Sequence, residues 1–345
     1  MTRRILHIGK CDKFIPPFIE FVNSNFNFEE HLFLLKAGMA EKELLPHENV
    51  KLIGKKRNSN ITYYLNAIIK MHLSEKIILH SLFDINIVKI LFFAPWLLKK
   101  CHWVIWGGDL YTYKFGKKTF KWKVKEFLRR HVIRNIGFLV TYLEGDVNLA
   151  REWYGAKGLH FECLMYTSNL FQCQRFERKY NEGINILLGN SAASSNNHIA
   201  TLEKLLDFKN QNITIYTPLS YGPQEHAQKV IKQGKEWFGD KFKPLTSFMP
   251  FEEYLQLLSN IDIALFNHKR QQAMGNTITL LGLGKTVYVD SSTTQWKFFE
   301  DKGIKVNDID KFDSLELEKN NENIEIIRNY FSIKNYHKQL QKIFL

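Results

Sequence analysis

The run INILLGNSAASSNNHIATLEKLL, residues 184–206, decides how this chain reads. Ile184–Leu188 is a short apolar run of strand length. Residues 189–197 are small and polar, and a helix begins near His198. Strand, small-residue loop and helix together form the repeating unit of a doubly wound α/β domain. The loop itself is open to two readings. It is a turn in which Ser195, Asn196 or Asn197 caps the helix. Or it is a seat for phosphates, with Gly189 admitting an anion to the backbone and Asn190, Ser191 and Ser194 offering uncharged donors. Neither GxGxxG nor a P-loop pattern occurs, which weighs against dinucleotide-binding and NTPase readings.

Outward from this run, the same alternation fills the chain. Before it, RRILHIG, HLFLLKAG, VKLIGKK, KIILHSLF, HWVIWGGDL and IGFLVTYL read as strands separated by helical patterns. After it come ITIYTP, FKPLTSF, IDIALFN and KTVYVD, with helices starting near Gln224, Pro250, Gln271 and Thr294. The strands are continuous Val/Ile/Leu runs, as expected when both faces of a parallel sheet are covered. The expected architecture is α/β, with two Rossmann-like doubly wound domains facing across a cleft. The first spans residues 1–170. The second spans 180–345 and carries the C-terminal helices, with a linker around 167–183. The tail reads as helix to the end, broken around Ser332. Ligands of such sheets bind beyond the carboxyl ends of the strands, so the loops there are the places to inspect.

The totals narrow the class. A chain of 345 residues with 45% apolar content suits two cores. The four cysteines, Cys11, Cys101, Cys163 and Cys173, have no metal or redox spacing and fit a reducing compartment. The start, MTRRILHIGK, reads as a first strand rather than a signal peptide. IVKILFFAPWLL, residues 87–98, is too short for a membrane span, contains Pro95, and is expected to be a buried helix.

The net charge of +13 points to an anionic partner. Residues 114–135 alone hold nine Lys or Arg and one Glu. There Lys117, Lys121, Lys125 and Arg129 recur every four residues on one face, while Phe120, Val124, Phe127, Leu128 and Val132 form the apolar face. Trp122 lies outside that apolar stripe, at an interfacial position. Basic plus aromatic suggests anchorage on an anionic membrane surface. Nucleic acid is the competing partner, but no recognisable nucleic-acid module accompanies the helix.

Three further loops carry polar chemistry. In residues 265–285, Asn267, His268, Lys269, Arg270, Gln271 and Gln272 follow a strand, and Gly275, Asn276 and Thr277 open a helix. Lys269 and Arg270 suit phosphate and the glutamines suit sugar hydroxyls, against the plainer reading of a solvated basic loop. In WVIWGGDLYTY, residues 103–113, Gly107 and Gly108 precede Asp109 at a strand end. Asp109 is either a general base for an acceptor hydroxyl or the cap of the next helix. His80 ends the neighbouring strand, as a structural imidazole or a substrate contact. No metal site stands out, and Asp308–Asp310 reads as loop.

At these loops the sequence resembles the TDP-N-acetylfucosamine:lipid II N-acetylfucosaminyltransferase family, the 4-alpha-L-fucosyltransferases of glycosyltransferase family 56. The resemblance rests on WGGDLY at 106–111, ILLGNSAASSNNHIATL at 186–202, YTPLSYG at 216–222 and RQQAMGN at 270–276. FEEYLQLLSNIDIALF at 251–266, QWKFF at 295–299 and HSLF at 80–83 add to it. The resemblance implies a GT-B fold and a cytoplasmic enzyme, peripheral on the inner face of the membrane. It implies transfer of an amino-fucose from a dTDP-sugar to an undecaprenyl-diphosphate-linked saccharide, with no cofactor or metal. Gly189, Asn190, Ser191, Tyr221, Phe248, Met249, Arg270, Gln271, Gln272, Asn276 and Thr277 would then bind the donor. Trp106, Gly107, Gly108 and Tyr111 would meet the acceptor, with Asp109 and His80 catalytic. Lys117, Lys121, Trp122, Lys125 and Arg129 would bind membrane. Transfer of another deoxysugar from a GDP or UDP donor, or binding without catalysis, are the alternatives.

Overall fold

The computed structural model describes residues 4–54, 57–172 and 183–345. Most of the expected linker, with Cys173, lies outside them, as do Lys55 and Lys56. The chain divides into two compact units. The first comprises residues up to Asn169 together with Ile333–Leu345, and the second is Leu170–Ser332.

The first unit runs β1 (Ile5–Lys10), α1 (Ile15–Asn25), β2 (His31–Lys36), β3 (Val50–Ile53), α2 (Arg57–Leu73), β4 (Lys76–His80) and α3 (Ile85–Phe93). It continues through β5 (Cys101–Val104), a short α4 (Thr112–Phe115), α5 (Phe120–Asn135), β6 (Phe138–Val140), α6 (Glu144–Tyr154) and β7 (Leu159–Phe161). The seven strands are all parallel, in the order β3-β2-β1-β4-β5-β6-β7. The chain winds outward from β1 to β3, crosses back to β4, and winds the other way. The switch point therefore lies between β1 and β4, whose ends carry Lys10 and His80. The central strands are buried on both faces, and α2, α3, α5 and α6 pack their inner sides into one core with Leu6, Ile8, Leu79 and Trp103.

The second unit repeats the plan. It has β8 (Ile184–Leu188), α7 (His198–Lys204), β9 (Ile213–Pro218), α8 (Gln224–Phe238), β10 (Phe242–Leu245) and α9 (Phe251–Asn260). Then follow β11 (Ile263–Phe266), α10 (Met274–Gly282), β12 (Thr286–Val289), α11 (Thr294–Asp301), β13 (Asn307–Asp308) and α12 (Asn321–Tyr330). The six strands are parallel in the order β10-β9-β8-β11-β12-β13, with the switch between β8 and β11. The run Asp308–Asp310, expected as loop, supplies the end of the edge strand β13 and a 3-10 turn.

Three expectations are corrected. The last helix, α13 (Ile333–Phe344), belongs to the first unit, so the second unit does not extend to residue 345. Tyr336, Leu340 and Ile343 are buried there. Gln339 accepts from Leu164 N, and Lys76 Nζ donates to the carbonyls of Ile343 and Phe344. Residues 87–98 are not a wholly buried helix: Phe93 and Trp96 stand 74% and 62% exposed. Finally, α5 buries only part of its expected apolar face, Val132 and the half-buried Leu128. Its inner side holds Glu126, Arg129, Val132 and Ile133, while Phe120, Val124 and Phe127 face solvent.

Candidate active site

In the second unit the loops after β8 and β11 meet at the switch point through polar side chains. Gly189 takes φ +68°, and a Cβ there would lie 2.9 Å from both Asn196 Oδ1 and His198 Nε2. Only glycine lets the chain turn that tightly over those two groups. Asn196 is the keystone beneath. Its Oδ1 accepts from Asn190 N (2.9 Å) and from His268 Nε2 (2.8 Å), and its amide donates to Ala193 O. Asn197 Nδ2 donates to Asn267 O (2.7 Å), tying the two loops together a second time.

The upper layer is made of amides and hydroxyls. Gln272 Nε2 donates to Asn190 Oδ1 (2.8 Å), Asn190 Nδ2 donates to Tyr221 Oη (3.0 Å), and Ser195 Oγ donates to Gln272 Oε1 (2.8 Å). The Tyr221 turn closes on the same loop, with Ala192 N donating to Tyr221 O. Asn276 Nδ2 donates to Tyr254 Oη, and α10 starts from Ala273 at φ +58° with no side-chain cap. Arg270 is half-buried, and its guanidinium donates to Gln271 O. Lys269 is not available as a phosphate partner, because its Nζ sits 2.6 Å from Asp290 Oδ2. Burial pushes the Asp290 carboxyl up, but bonds from Lys269 and Ser292 outweigh it and hold the group below its usual value. Thr277 is fully buried, donating to Ala273 O and accepting from Gln295, so it shapes α10 rather than offering a free hydroxyl. Phe248 is 84% exposed, a flat unpartnered ring suited to stacking on a base, with Met249 half-buried beside it.

Two histidines underlie this loop. His198 and His268 are buried, and burial pushes each down to about 3, against a smaller upward pull from the backbone of Ser191 and of Gln272 respectively. His198 Nε2, Asn267 Oδ1 and His268 Nδ1 make no hydrogen bond of good geometry among the described residues. In the sequence Asn196, His198 and His268 read as cap, helix start and loop. The only available signal was their position at the two strand ends flanking the switch point. Gly189 and the asparagines thus build a tied double loop, and Asn190, Gln272 and Tyr221 crown it.

In the first unit the strand-end residues are equally ordered. Asp109 is fully buried, and its carboxylate is filled by four N–H donors. Oδ2 accepts from Leu82 N (2.9 Å) and Trp103 Nε1 (2.8 Å), and Oδ1 from Trp106 N and Leu110 N (both 3.0 Å). It knits the turn after β4, where Ser81 takes φ +85°, to the Gly107 turn after β5. The structure therefore gives Asp109 a scaffolding role in place of the expected base: no lone pair is directed at a substrate. Arg129 supports the same knot, donating to Leu82 O and Asp109 O (2.7 Å), so it is not a membrane contact. Trp122 packs over Gly116 with Nε1 donating to Thr112 O and Lys118 over its ring; it is not a free anchor. Tyr111 is buried against Phe115 and Trp153, away from an acceptor-facing role. Gly108 lies under Phe83.

His80 belongs to a buried chain of rings. Trp106 Nε1 donates to Tyr166 Oη (2.8 Å), and Tyr166 Oη lies 2.7 Å from His80 Nδ1. His80 Nε2 is 3.1 Å from His7 Nδ1, and His7 Nε2 is 3.0 Å from His31 Nδ1. Two arrangements satisfy every contact with all three imidazoles neutral: protons on Nε2 with Tyr166 donating to His80, or protons on Nδ1 with His80 donating to Tyr166. Burial supports a neutral chain, pushing His80 down to about 3, His31 to about 4, and His7 well below its usual value. His80 is thereby a link in an internal relay of hydrogen bonds, with no nitrogen left to abstract a proton.

The 4-alpha-L-fucosyltransferase glycosyl transferase group 56 matches residues 19–343. The chain belongs to glycosyltransferase family 56. Solved structures with the same fold include a glycosyltransferase from Rickettsia africae, at 12% identity and TM-score 0.64, covering 100% of this chain and 98% of that one. Another is the Anabaena protein HepE in complex with UDP-glucose, at 10% identity and TM-score 0.61, covering 99% and 94%. The N-terminal domain of Candida albicans trehalose-6-phosphate phosphatase matches at 11% and TM-score 0.70, covering 100% and 97%. This family 56 member is thus a glycosyltransferase with the GT-B-like pair of Rossmann-like domains. Among its described residues no cluster of three or more His, Cys, Asp or Glu is arranged to hold a metal ion.

Proposed function

We propose that this enzyme transfers an amino-fucose, of the 4-acetamido-4,6-dideoxygalactose type, from a dTDP-sugar to a saccharide carried on undecaprenyl diphosphate. The reaction would belong to the synthesis of a bacterial surface polysaccharide of the enterobacterial-common-antigen kind. The observation that carries the reading is the family match over nearly the whole chain, joined to a polar double loop at the second unit's switch point. In this reading the donor lies over Asn190, Ser191 and Gln272, with Gln271 and Asn276 toward the sugar. Arg270 and the uncapped start of α10 compensate the diphosphate charge, with no resident metal. Tyr221, Phe248 and Met249 frame the nucleoside. Chemically, the bond from the sugar's anomeric carbon to the β-phosphate oxygen breaks, the acceptor hydroxyl oxygen forms the new bond, and its proton leaves to a base. Trp106 and Gly107 remain at the first unit's strand ends for the acceptor. No described helix is long and apolar enough to cross a membrane, and the reading places the enzyme peripherally on the inner face.

The test is thermal unfolding against dTDP, UDP, GDP, ADP and NAD, followed by transfer from the responding nucleotide's sugar. Ligand at about 100 times its dissociation constant adds about 2.7 kcal/mol to stability. A rise in midpoint with dTDP alone supports the donor. A rise with UDP or GDP alone discards the dTDP assignment and keeps the transferase.

A further inference from the structure

α5 exposes apolar residues that the catalytic reading does not use. α2, α3 and α5 lie side by side in one layer over the seven-stranded sheet. On α2, Tyr63, Ala67 and Met71 are buried. Its opposite side carries Ile61, Leu65, Ile69 and Leu73, spaced four apart and exposed by 62, 55, 56 and 54%. Residues at that spacing share one face. At the end of α3 stands Phe93, and in the following turn Trp96, whose Nε1 lies 3.2 Å from His72 Nε2 of α2. On α5, Phe120, Val124 and Phe127 are exposed opposite the buried Arg129, Val132 and Ile133. Phe92 joins the helices, its ring 5.3 Å from Phe93 and 6.0 Å from Phe127. An apolar face shared by three neighbouring helices marks an interaction surface, unlike scattered exposed leucines.

Charge identifies the occupant. Residues 85–135 hold nine lysines and three arginines, against Asp109 and Glu126 as the only acids. Both acids are buried, so every exposed charge over this stretch is positive. A second copy would set cation against cation. Nucleic acid would match the charge but leave the aliphatic row of α2 uncovered. An anionic bilayer satisfies both, taking rings and aliphatic chains at the headgroup–acyl boundary and lysines at the phosphates.

We propose that the outer face of the α2–α3–α5 layer docks the enzyme on an anionic bilayer by insertion of Phe93, Trp96, Phe120 and Phe127. Lys117, Lys121 and Lys123 lie at the phosphate level. This deepens the lipid-linked-acceptor reading, on which it rests, by assigning the surface and the mode of attachment. The lysine stripe expected from sequence steers approach, while apolar insertion supplies the hold.

The test is flotation of the full chain with vesicles of phosphatidylcholine, alone or with about 30% phosphatidylglycerol. A Phe93→Ser/Phe127→Ser variant and a Lys121→Glu/Lys123→Glu variant are compared with the parent. The expected result is binding to anionic vesicles that partly survives high salt. The double Phe variant should bind about tenfold or more weakly, with its unfolding midpoint and nucleotide-induced shift unchanged. Three outcomes would overturn the proposal: no binding to anionic vesicles, full binding by the Phe variant, or a dimer or RNA complex that the Phe variant abolishes. Vesicle binding without any nucleotide response would sink the donor reading and leave this surface standing. A dTDP response without vesicle binding would do the reverse.

Discussion

Asp109→Asn separates a scaffold from a base. The parent carboxylate accepts four N–H bonds inside the protein, two on each oxygen. Asparagine keeps one oxygen and turns an NH2 toward two donors, so two bonds are lost and donors face donors. A hydrogen bond to a charged acceptor is worth about 1.5–3 kcal/mol, which puts the loss at about 3–6 kcal/mol. Against total stabilities of about 5–15 kcal/mol, that unfolds a large share of the margin. One of the two turns would loosen, according to which oxygen the amide replaces: the Ser81 turn if Leu82 N and Trp103 Nε1 lose their acceptor, the Gly107 turn if Trp106 N and Leu110 N do. Urea denaturation followed by circular dichroism reads the change, with transfer activity measured on the same preparations. A general base would behave otherwise: stability would stay within about 0.5 kcal/mol of the parent while turnover collapsed. That pattern would refute the scaffold assignment and return Asp109 to the chemistry.

Two predictions concern other positions. Gly189→Ala places a methyl 2.9 Å from Asn196 Oδ1 and His198 Nε2 at a left-handed φ. It should cost about 2 kcal/mol or more and weaken nucleotide binding; a variant as stable as the parent would show that the double loop is soft. Acid should also unfold the protein early. His80, His198 and His268 are pushed down to about 3 when folded but titrate at about 6.5 unfolded. In that window the unfolded state binds more protons, so stability is full above about pH 6.5 and falls as pH drops toward 3. Each histidine contributes about 1.4 kcal/mol per pH unit. Unfolding midpoints from pH 7.5 to 4.5 should fall, with a shallower slope for His80→Gln; a flat profile would contradict the neutral ring chain.

The sequence shows the α/β alternation plainly because each buried parallel strand must be a continuous apolar run, as in Ile184–Leu188 and Ile263–Phe266. It shows the strand-end loops for the same reason, since small polar residues there have no core to fill. Residue roles within those loops are harder to read. Whether Asp109 faces substrate or four backbone and indole N–H groups depends on the turn after β4, a segment 27 residues away. Lys269 reads as a phosphate ligand from its own loop, but the end of β12 brings Asp290 to within 2.6 Å of it. α13 docks through Gln339 on Leu164, 175 positions earlier, which no local pattern encodes.

The error over α5 has a physical cause that also bears on function. A helix with one apolar side and one charged side is expected to bury the apolar side. That inference assumes water as the only outside solvent. Here the buried side holds Arg129, tolerated because its guanidinium donates to the carbonyls of Leu82 and Asp109 and lies 3.5 Å from the Glu126 carboxylate. Phe120, Val124 and Phe127 are left outside, beside Phe93 and Trp96 and among lysines. Two amphipathic solutions are available to the same sixteen residues, and periodicity alone does not choose between them. Arg129 does: its partners on two strand-end turns fix which way the helix faces. The knot that holds Asp109 therefore also orients the face proposed to meet the bilayer. On that logic, Arg129→Met should loosen both turns and free α5 to rotate, weakening vesicle binding without removing one exposed lysine or phenylalanine.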